Sequence, residues 1–287
     1  MVRFSLLSLA LAISSVSFGQ FAKGNTWSYT VYLGASNMLS DLGGNGTTGK
    51  SDFRDVDYQA FRPAVGIGLQ HHRKHLTLST DIVVTRLVGD DAFTSASGRN
   101  VRNLSVRTDL VEASLKSEIL PFKNAQKFKG LYLNAGIGGI YFQPKAEYDG
   151  DWYKLRPLGT EGQNYIDGAN RYNTISMILP FGTGYKFQIG RNSTLKLDFS
   201  FRKTFTDYLD DVSTVYANTL AITESGGAIA GILADRSENG LAEGSARGSD
   251  QSKDNYFLVG LKFERIIGAA KYNECTNFEI PSRKKKH

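Results

Sequence analysis

The sequence predicts an all-β protein, an eight-stranded antiparallel transmembrane β-barrel with long loops on one side. Three observations predict it. Long runs alternate apolar and non-apolar residues with a period of two; the non-apolar positions carry mostly glycine or charge; and the connections between runs alternate between short and long, as in outer-membrane barrels. Composition agrees, with 30 Gly, 17 Phe and 14 Tyr against six Pro and three Met in 287 residues. A single cysteine, Cys275, excludes an intrachain disulfide framework. Beyond the N-terminal segment no apolar run reaches the roughly 20 residues of a membrane helix. A closed barrel is then the spanning structure that leaves no sheet edge unpaired in lipid. A soluble sandwich or lipocalin-like sheet would also alternate, and remains the competing fold.

The chain opens MVRFSLLSLALAISSVSFGQ, with Arg3, an apolar stretch from Phe4 to Phe18 and small residues Ser17 and Gly19 before Gln20. This pattern predicts a cleaved signal peptide over residues 1–19 and an exported mature chain. Gln20 stands where a lipoprotein would carry cysteine. The barrel is expected over 20–267, followed by a periplasmic basic tail over 268–287.

The first strand, WSYTVYLGA from Trp27, sets Tyr29, Val31 and Leu33 against Ser28, Thr30 and Gly34. FRPAVGIGLQHH sets Val65, Ile67 and Leu69 against Gly66, Gly68 and Gln70, and HLTLSTDIVVTRL sets Leu78, Ile82 and Val84 against Thr77, Ser79 and Asp81. The fourth, Val101 to Ile119, has a break in parity between Leu110 and Ala113 that predicts a β-bulge. GLYLNAGIGGIYF, the run from Ile175 to Ile189, STLKLDFSFRKTF and NYFLVGLKFERII complete the set. In the last two, Leu195, Leu197, Phe199, Phe201, Phe257, Val259, Leu261 and Phe263 are expected to face lipid. Asp81, Glu118, Lys186, Asp198, Arg202, Lys262 and Glu264 would then pair beside glycines in the narrow interior. Such a filled barrel disfavours a passive pore. HRKH and GRNS are turn-sized connections, whereas the stretch from Thr206 to Asp254 is the longest loop. With periplasmic termini, that loop would lie outside the cell. Its SGGAIAGILADRSENG interior reads most simply as a flexible surface loop.

The segment TFTDYLDDVSTVY, Thr204 to Tyr216, concentrates Asp207, Asp210 and Asp211 beside Tyr208. A Ca²⁺ loop of the EF-hand type would need a glycine and a terminal glutamate that D-x-x-D-D lacks. A hydrolase would need a base beside its nucleophile, but His71, His72 and His75 cluster at a turn and His287 ends the chain. No catalytic, cofactor or metal residue is therefore assigned. The HHRKH cluster is expected to be a solvated basic turn. The aspartates are expected to cap turns or meet arginines such as Arg171, Arg236 or Arg247, with the tyrosines at the membrane interface belt. The RKKK tail could bind a partner or acidic headgroups, and nucleic acid does not suit an exported chain.

YLGASNMLSDLGG, FRPAVGIGLQ, WYKLRPLGTEGQ, ILPFGTGYKF, TFTDYLDDVSTVY, ADRS and RGSDQSKDNYFLVGLKF, in that order, resemble the PorG family of small outer-membrane barrels of the type IX secretion system. The resemblance runs from Tyr29 to about Phe263, with TDYLDDVS its most distinctive part. It implies a non-enzymatic secretion component, in contact with outer-membrane lipids and with the periplasmic ring built from a lipoprotein and its partner, and acting without a cofactor or small-molecule substrate. Its candidate partner or loop-structuring residues are Trp152, Glu161, Asp207, Tyr208, Asp210, Asp211, Arg236 and Arg247. The long polar loop after Tyr216 and the lysine-rich tail depart from the family pattern, which puts the partner contacts in question. A barrel hydrolase and an adhesin-like surface barrel are the alternative functions.

Overall fold

The computed structural model describes residues 25–42, 56–73, 76–93, 101–122, 128–166, 171–249 and 252–267. The expected signal peptide, His75, Cys275, the basic tail and His287 lie outside these residues. Eight long antiparallel strands close on themselves. They are β1 (Asn25–Leu39), β2 (Arg62–Arg73), β3 (Leu76–Asp90), β4 (Ser105–Ile119), β5 (Leu131–Tyr148), β7 (Ile175–Gly190), β8 (Ser193–Thr204) and β9 (Asn255–Ile267). Each pairs with the next, β5 with β7, and β9 returns to β1, so the cylinder has no open edge. A ninth, short strand β6 (Asp151–Lys154) extends β5 beyond the cylinder as a hairpin. Its turn is Asp149-Gly150, both at positive φ (53° and 84°), the backbone geometry of a tight hairpin turn.

The exterior explains why the sheet closes in a membrane. Along β3 the burial alternates at nearly every residue, with Leu76, Leu78, Ile82 and Val84 outward and Thr77, Ser79, Asp81 and Val83 inward. Leu197 and Phe199 face outward on β8, and Val259 and Leu261 on β9, matched across the strand pair as Leu197–Leu261 and Phe199–Val259, whereas Phe201 and Phe257, expected to face lipid, are buried with Leu39 under Val56 and Phe61 of the β1–β2 connection. A transmembrane strand needs about 9–11 residues; strands of 12 to 18 residues therefore span a bilayer and project beyond it. Among the described residues no helix is long and apolar enough to cross a membrane. The strands make the crossing.

The expected bulge in β4 is absent. The strand pairs with β3 in unbroken register from Asp90–Ser105 to Leu76–Ile119. The apparent break in the sequence arises because the inward chemistry changes partway along: Val106 and Leu110 point inward near the loop end, and Glu112, Lys116 and Glu118 point inward below them. The apolar inward residues have a lid to pack against, as described below. The register shift that does occur lies between β7 and β8, at Gln188 and Gly190.

From the short-turn end up to the level of Glu112 and Arg202 the interior is a charge lattice. Asp81 meets Lys116 at 3.1 Å and Lys262 at 3.2 Å. Glu118 pairs with Lys186 and, at 3.0 Å, with Lys196, which also reaches Glu264 at 2.8 Å. Arg202 meets Glu112 at 2.9 Å, and Tyr256 donates to the same carboxylate at 2.8 Å. Tyr132 donates to Asp198 and lies beneath Lys186 and Lys196, its ring centre 5.5 and 5.6 Å from their nitrogens. Five carboxylates (Asp81, Glu112, Glu118, Asp198, Glu264) thus share the space with five cations (Lys116, Lys186, Lys196, Arg202, Lys262). Equal numbers matter, because a buried charge without a partner is strongly destabilising. Glycine makes room for the rings: a Cβ at Gly184 would collide with Tyr132, and one at Gly34 with Tyr32. His72 corrects the expectation of a wholly solvated turn, since its Nε2 lies 2.8 Å from Glu264 inside the barrel.

The termini of the cylinder, the turn-sized β2–β3 and β7–β8 connections and the longer β4–β5 connection, Leu120 to Gly130, share one end, and the remaining long connections share the other. The longest, between β8 and β9, is folded. It contains the helices Thr219–Gly226 and Ala228–Ala234 and a bridge between Val215 and Ala246. The expected flexible apolar patch is a helical pair, turning at Gly227 with φ 87°.

Candidate functional site at the barrel mouth

The segment Thr206–Ser213 lies across the loop end of the cylinder. Leu209 is its centre. Fully buried, it joins Leu87, Leu110, Ile140, Phe142, Ile178, Tyr256 and Leu258 in the apolar cluster that fills the upper interior. Both of its backbone groups are held: its N–H donates to Asp254 Oδ2 at 2.8 Å, and its carbonyl accepts from the Thr108 hydroxyl on β4. A leucine seated this way closes the mouth. Phe142, Tyr172 and Tyr208 stack beside it with centroid spacings of 6.5 and 4.4 Å. Tyr208 and Tyr216 therefore pack within the lid, with Tyr216 buried, and not in the interface belt. The apolar mouth offers them more buried contact than the membrane surface does.

Two polar clasps fix this lid. In the first, Arg247 donates to Glu161 Oε1 at 3.0 Å and to the Asp211 carbonyl, with its second nitrogen 3.7 Å from the Asp211 carboxylate. Glu161 also accepts the Ser213 N–H at 2.9 Å and the Thr214 N–H and hydroxyl at 3.2 and 3.0 Å. Asp211 accepts from the hydroxyls of Thr160 and Tyr172 and sits at φ 62°, a left-handed conformation that aspartate tolerates better than most residues. Burial disfavours the Arg247 guanidinium, but Glu161 and Asp211 outweigh it and hold its pKa above the usual value. In the second clasp, Arg102 makes a two-pronged contact with Asp91 at 2.7 and 2.9 Å and donates to the carbonyls of Asp41 and Arg247. Four of the long connections are joined by these two arginines.

Around them lies an excess of carboxylate. Asp210 caps a turn, accepting the Val212 N–H at 2.9 Å, as Asp41 caps Ser249. Asp207 accepts from the Ser213 hydroxyl at 2.6 Å, with the half-exposed Lys253 at 3.8 Å. Burial pushes Asp207 up to about 6, reinforced by Asp41 and Glu161. It likewise pushes Asp211 up to about 6 against the pull of Arg247 and the two hydroxyls. Asp210 and Asp254 are raised well above the carboxylate range by burial and by their acidic neighbours, Asp41 beside Asp210, and Asp210, Asp207 and Asp41 around Asp254. Among the described residues no three acidic, histidine or cysteine side chains are placed to hold a metal ion.

The structure thus gathers Glu161, Asp211 and Arg247 into one clasp and places Asp207, Asp210 and Tyr208 around it. Trp152 stands apart, half-exposed on β6 with the Arg107 guanidinium 4.3 Å above its ring. Arg236 does not meet the aspartates. It donates to Ser105 at 2.9 Å and accepts from Asn103 through its carbonyl. Arg171 goes to Asn164. Asp41, Asp91, Arg102, Thr108, Tyr172 and Asp254 were not foreseen as part of the site. Their partners lie on other loops, and nothing in the spacing along the chain joins them. The Asp149-Gly150 hairpin, in contrast, carried a readable turn signal.

A closed cylinder with an apolar outer band, a charge-filled interior and a folded lid defines an eight-stranded antiparallel β-barrel of the outer-membrane type. No protein-family model matches the chain, and no curated protein matches it. Among solved structures it is similar to Neisserial surface protein A, at 8% identity and a TM-score of 0.38, covering 85% of this chain and 99% of that one. It is also similar to Ail, the attachment invasion locus protein of Yersinia pestis, at 9% identity and 0.38, with 85% and 99% covered. CarO2 of Acinetobacter baumannii gives 13% and 0.30, with 82% and 98% covered. At these values the fold assignment stands on the strand register and the two faces of the wall.

Proposed function

We propose that this barrel is a non-enzymatic component of the type IX secretion machinery, set in the outer membrane with its termini in the periplasm and associated with the periplasmic ring lipoprotein and its partner. The reading is supported by the ordered resemblance described above, and one structural observation carries it furthest. TDYLDDVS, the most distinctive segment of that resemblance, is the piece that seats Leu209 in the mouth and is clasped by Glu161 and Arg247. Its aspartates serve a folded lid on a filled barrel, an arrangement suited to a scaffold or docking surface and ill suited to a conduit. The test is purification of the tagged protein in mild detergent from its own cells, with mass spectrometry of what accompanies it, alongside secretion of a reporter carrying the C-terminal signal. Copurification of the ring lipoprotein and retention of the reporter in a deletion strain are expected. Normal secretion in that strain, with no ring protein recovered, would refute the proposal. Hydrolysis of lipid or peptide that disappears in an Asp207→Asn or Asp211→Asn variant would favour the barrel-enzyme reading instead.

A further inference from the structure

Among the described residues the outer wall has a depression where β4, β5 and β7 meet. Ser117 on β4, Ala135 on β5 and Phe181 on β7 form a single cross-strand row. Below it stands the bulky pair Ile119–Leu133 and above it Leu115–Ile137, all four side chains exposed. Two small side chains between two bulky pairs leave a groove of about 470 Å³ on the outer face, lined by Ser117, Ile119, Leu133, Ala135 and Phe181, within the roughly 300–1,000 Å³ of small-molecule sites. Beside it the β5–β7 pairing is interrupted between Ala135–Phe181 and Gly138–Ile178, where Pro180 offers no N–H.

Position decides what can fill it. The groove lies on the face that the bilayer covers, in its short-turn half: Leu133 is four residues from Lys129, about 13 Å along an extended chain. The rim above that half carries an exposed aromatic pair, Phe122 and Phe128, with centroids 6.1 Å apart, and exposed Phe187 on β7. Aromatic rings of this kind mark the headgroup level. The partly exposed Lys129, beside Phe128, supplies a cation at this level, and the exposed Arg191 of the β7–β8 turn stands about 13 Å further along the strand direction. An acyl-sized groove opening toward a basic, aromatic rim is complementary to one molecule with an apolar chain and an anionic head.

We propose that this groove is a binding site for a single anionic phospholipid of the leaflet on the short-turn side. One acyl chain lies over Ser117 and Ala135 against Phe181, and the phosphate meets Lys129. The site goes beyond the secretion reading and does not depend on it. Ala135→Phe fills the groove, Lys129→Gln removes a headgroup contact, and Val65→Phe adds the same bulk to the outer face of β2 as a control.

The assembled full-length barrel, verified by heat-modifiable gel migration, is exchanged into mixed phosphatidylglycerol and phosphatidylcholine, and the retained lipid is counted by native mass spectrometry. Wild type and Val65→Phe are expected to retain one phosphatidylglycerol with several-fold preference over phosphatidylcholine. Ala135→Phe should lose it, and Lys129→Gln should keep a lipid but lose most of the preference. Retention in Ala135→Phe equal to wild type, loss in Val65→Phe to the same degree, or no preference between the two lipids in wild type would overturn the proposal. If Ala135→Phe fails to assemble, Ser117→Leu fills the same groove from β4 and carries the same expectation.

Discussion

The two halves of the barrel interior solve the same packing problem with opposite chemistry. From the short turns up to the level of Glu112 and Arg202, which lie beside Ile140 and Tyr256 of the apolar cluster, the wall points charges inward and balances them five against five, so that each ion is stabilised by neighbours fixed on other strands. In the half nearest the long loops, the wall points Leu87, Leu110, Ile140, Phe142 and Ile178 inward, and the stopper is Leu209 from a loop. The lower half is complete in the wall itself; the upper half is complete only when the lid is folded. Removing a charge should therefore damage the cylinder, whereas damage to the mouth should stay in the lid.

The largest effect is expected from leaving one ion of the lattice alone. Glu112→Ala strands Arg202 in the wall and should cost about 3–5 kcal/mol, read as a lower urea midpoint for loss of the folded gel band. Joint replacement, Glu112→Leu with Arg202→Met, should recover most of that loss, since an apolar pair of similar volume needs no counter-charge. A single variant as stable as wild type would show that the lattice is not what holds the cylinder.

Leu209→Ala tests the other half. Loss of a buried leucine should cost about 2–5 kcal/mol, but here the loss should appear as protease cutting within 205–254 on intact cells while the heat-modifiable band persists. Unfolding of the whole barrel at the same midpoint as cutting would erase the distinction between the halves. On the wall itself, Phe199 and Ser200 are neighbours on opposite faces. Phe199→Arg should cost about 2–4 kcal/mol if the site is near the bilayer midplane; tolerance as good as that of Ser200→Arg would invert the assignment of faces.

Acidity distinguishes the halves most gently. Asp207 and Asp211 have folded-state pKa values raised to about 6, above the roughly 3.9 of a free aspartate. A carboxyl raised on folding favours the folded form while protonated, so the lid should be firmest in acid and should lose stability as pH rises from about 4 through about 6. Proteolysis of the 205–254 loop should accordingly be slower at pH 5 than at pH 8, with barrel migration unchanged. The smallest effect is expected for Asp210→Asn: the amide keeps an acceptor for the Val212 N–H, and a group already raised well above the carboxylate range loses little with its charge. Asp210→Ala, which removes the cap, should be worse by about 1 kcal/mol. Equal proteolysis of the two variants would show that the cap contributes nothing.

Much of the wall was legible because a barrel strand is a local code. Side chains alternate between lipid and interior with a period of two, so Leu197 and Asp198, or Leu261 and Lys262, reveal their faces from adjacency alone. The strand number, both end groups of connections and seven of the lattice charges follow from that rule. Where the inward chemistry itself changed, in β4, the same rule misled: Leu110 and Glu112 face the same way, and their difference looked like a bulge that the register with β3 does not contain. Glu112 and Lys116 were therefore missed as members of the lattice, and Lys196 of β8, which joins Glu118 and Glu264, was not named among them either. The mouth was less legible still. Glu161, Asp211 and Arg247 are separated by 86 residues from first to last, and Arg102 reaches Arg247 across 145. Sequence alone determined which residues could line the wall, since that depends on backbone alternation and the dielectric on either side of it. Which ion neutralises which, and which leucine closes the barrel, only the tertiary structure decided, because both depend on how the closed register aligns strands and loops that the chain keeps far apart.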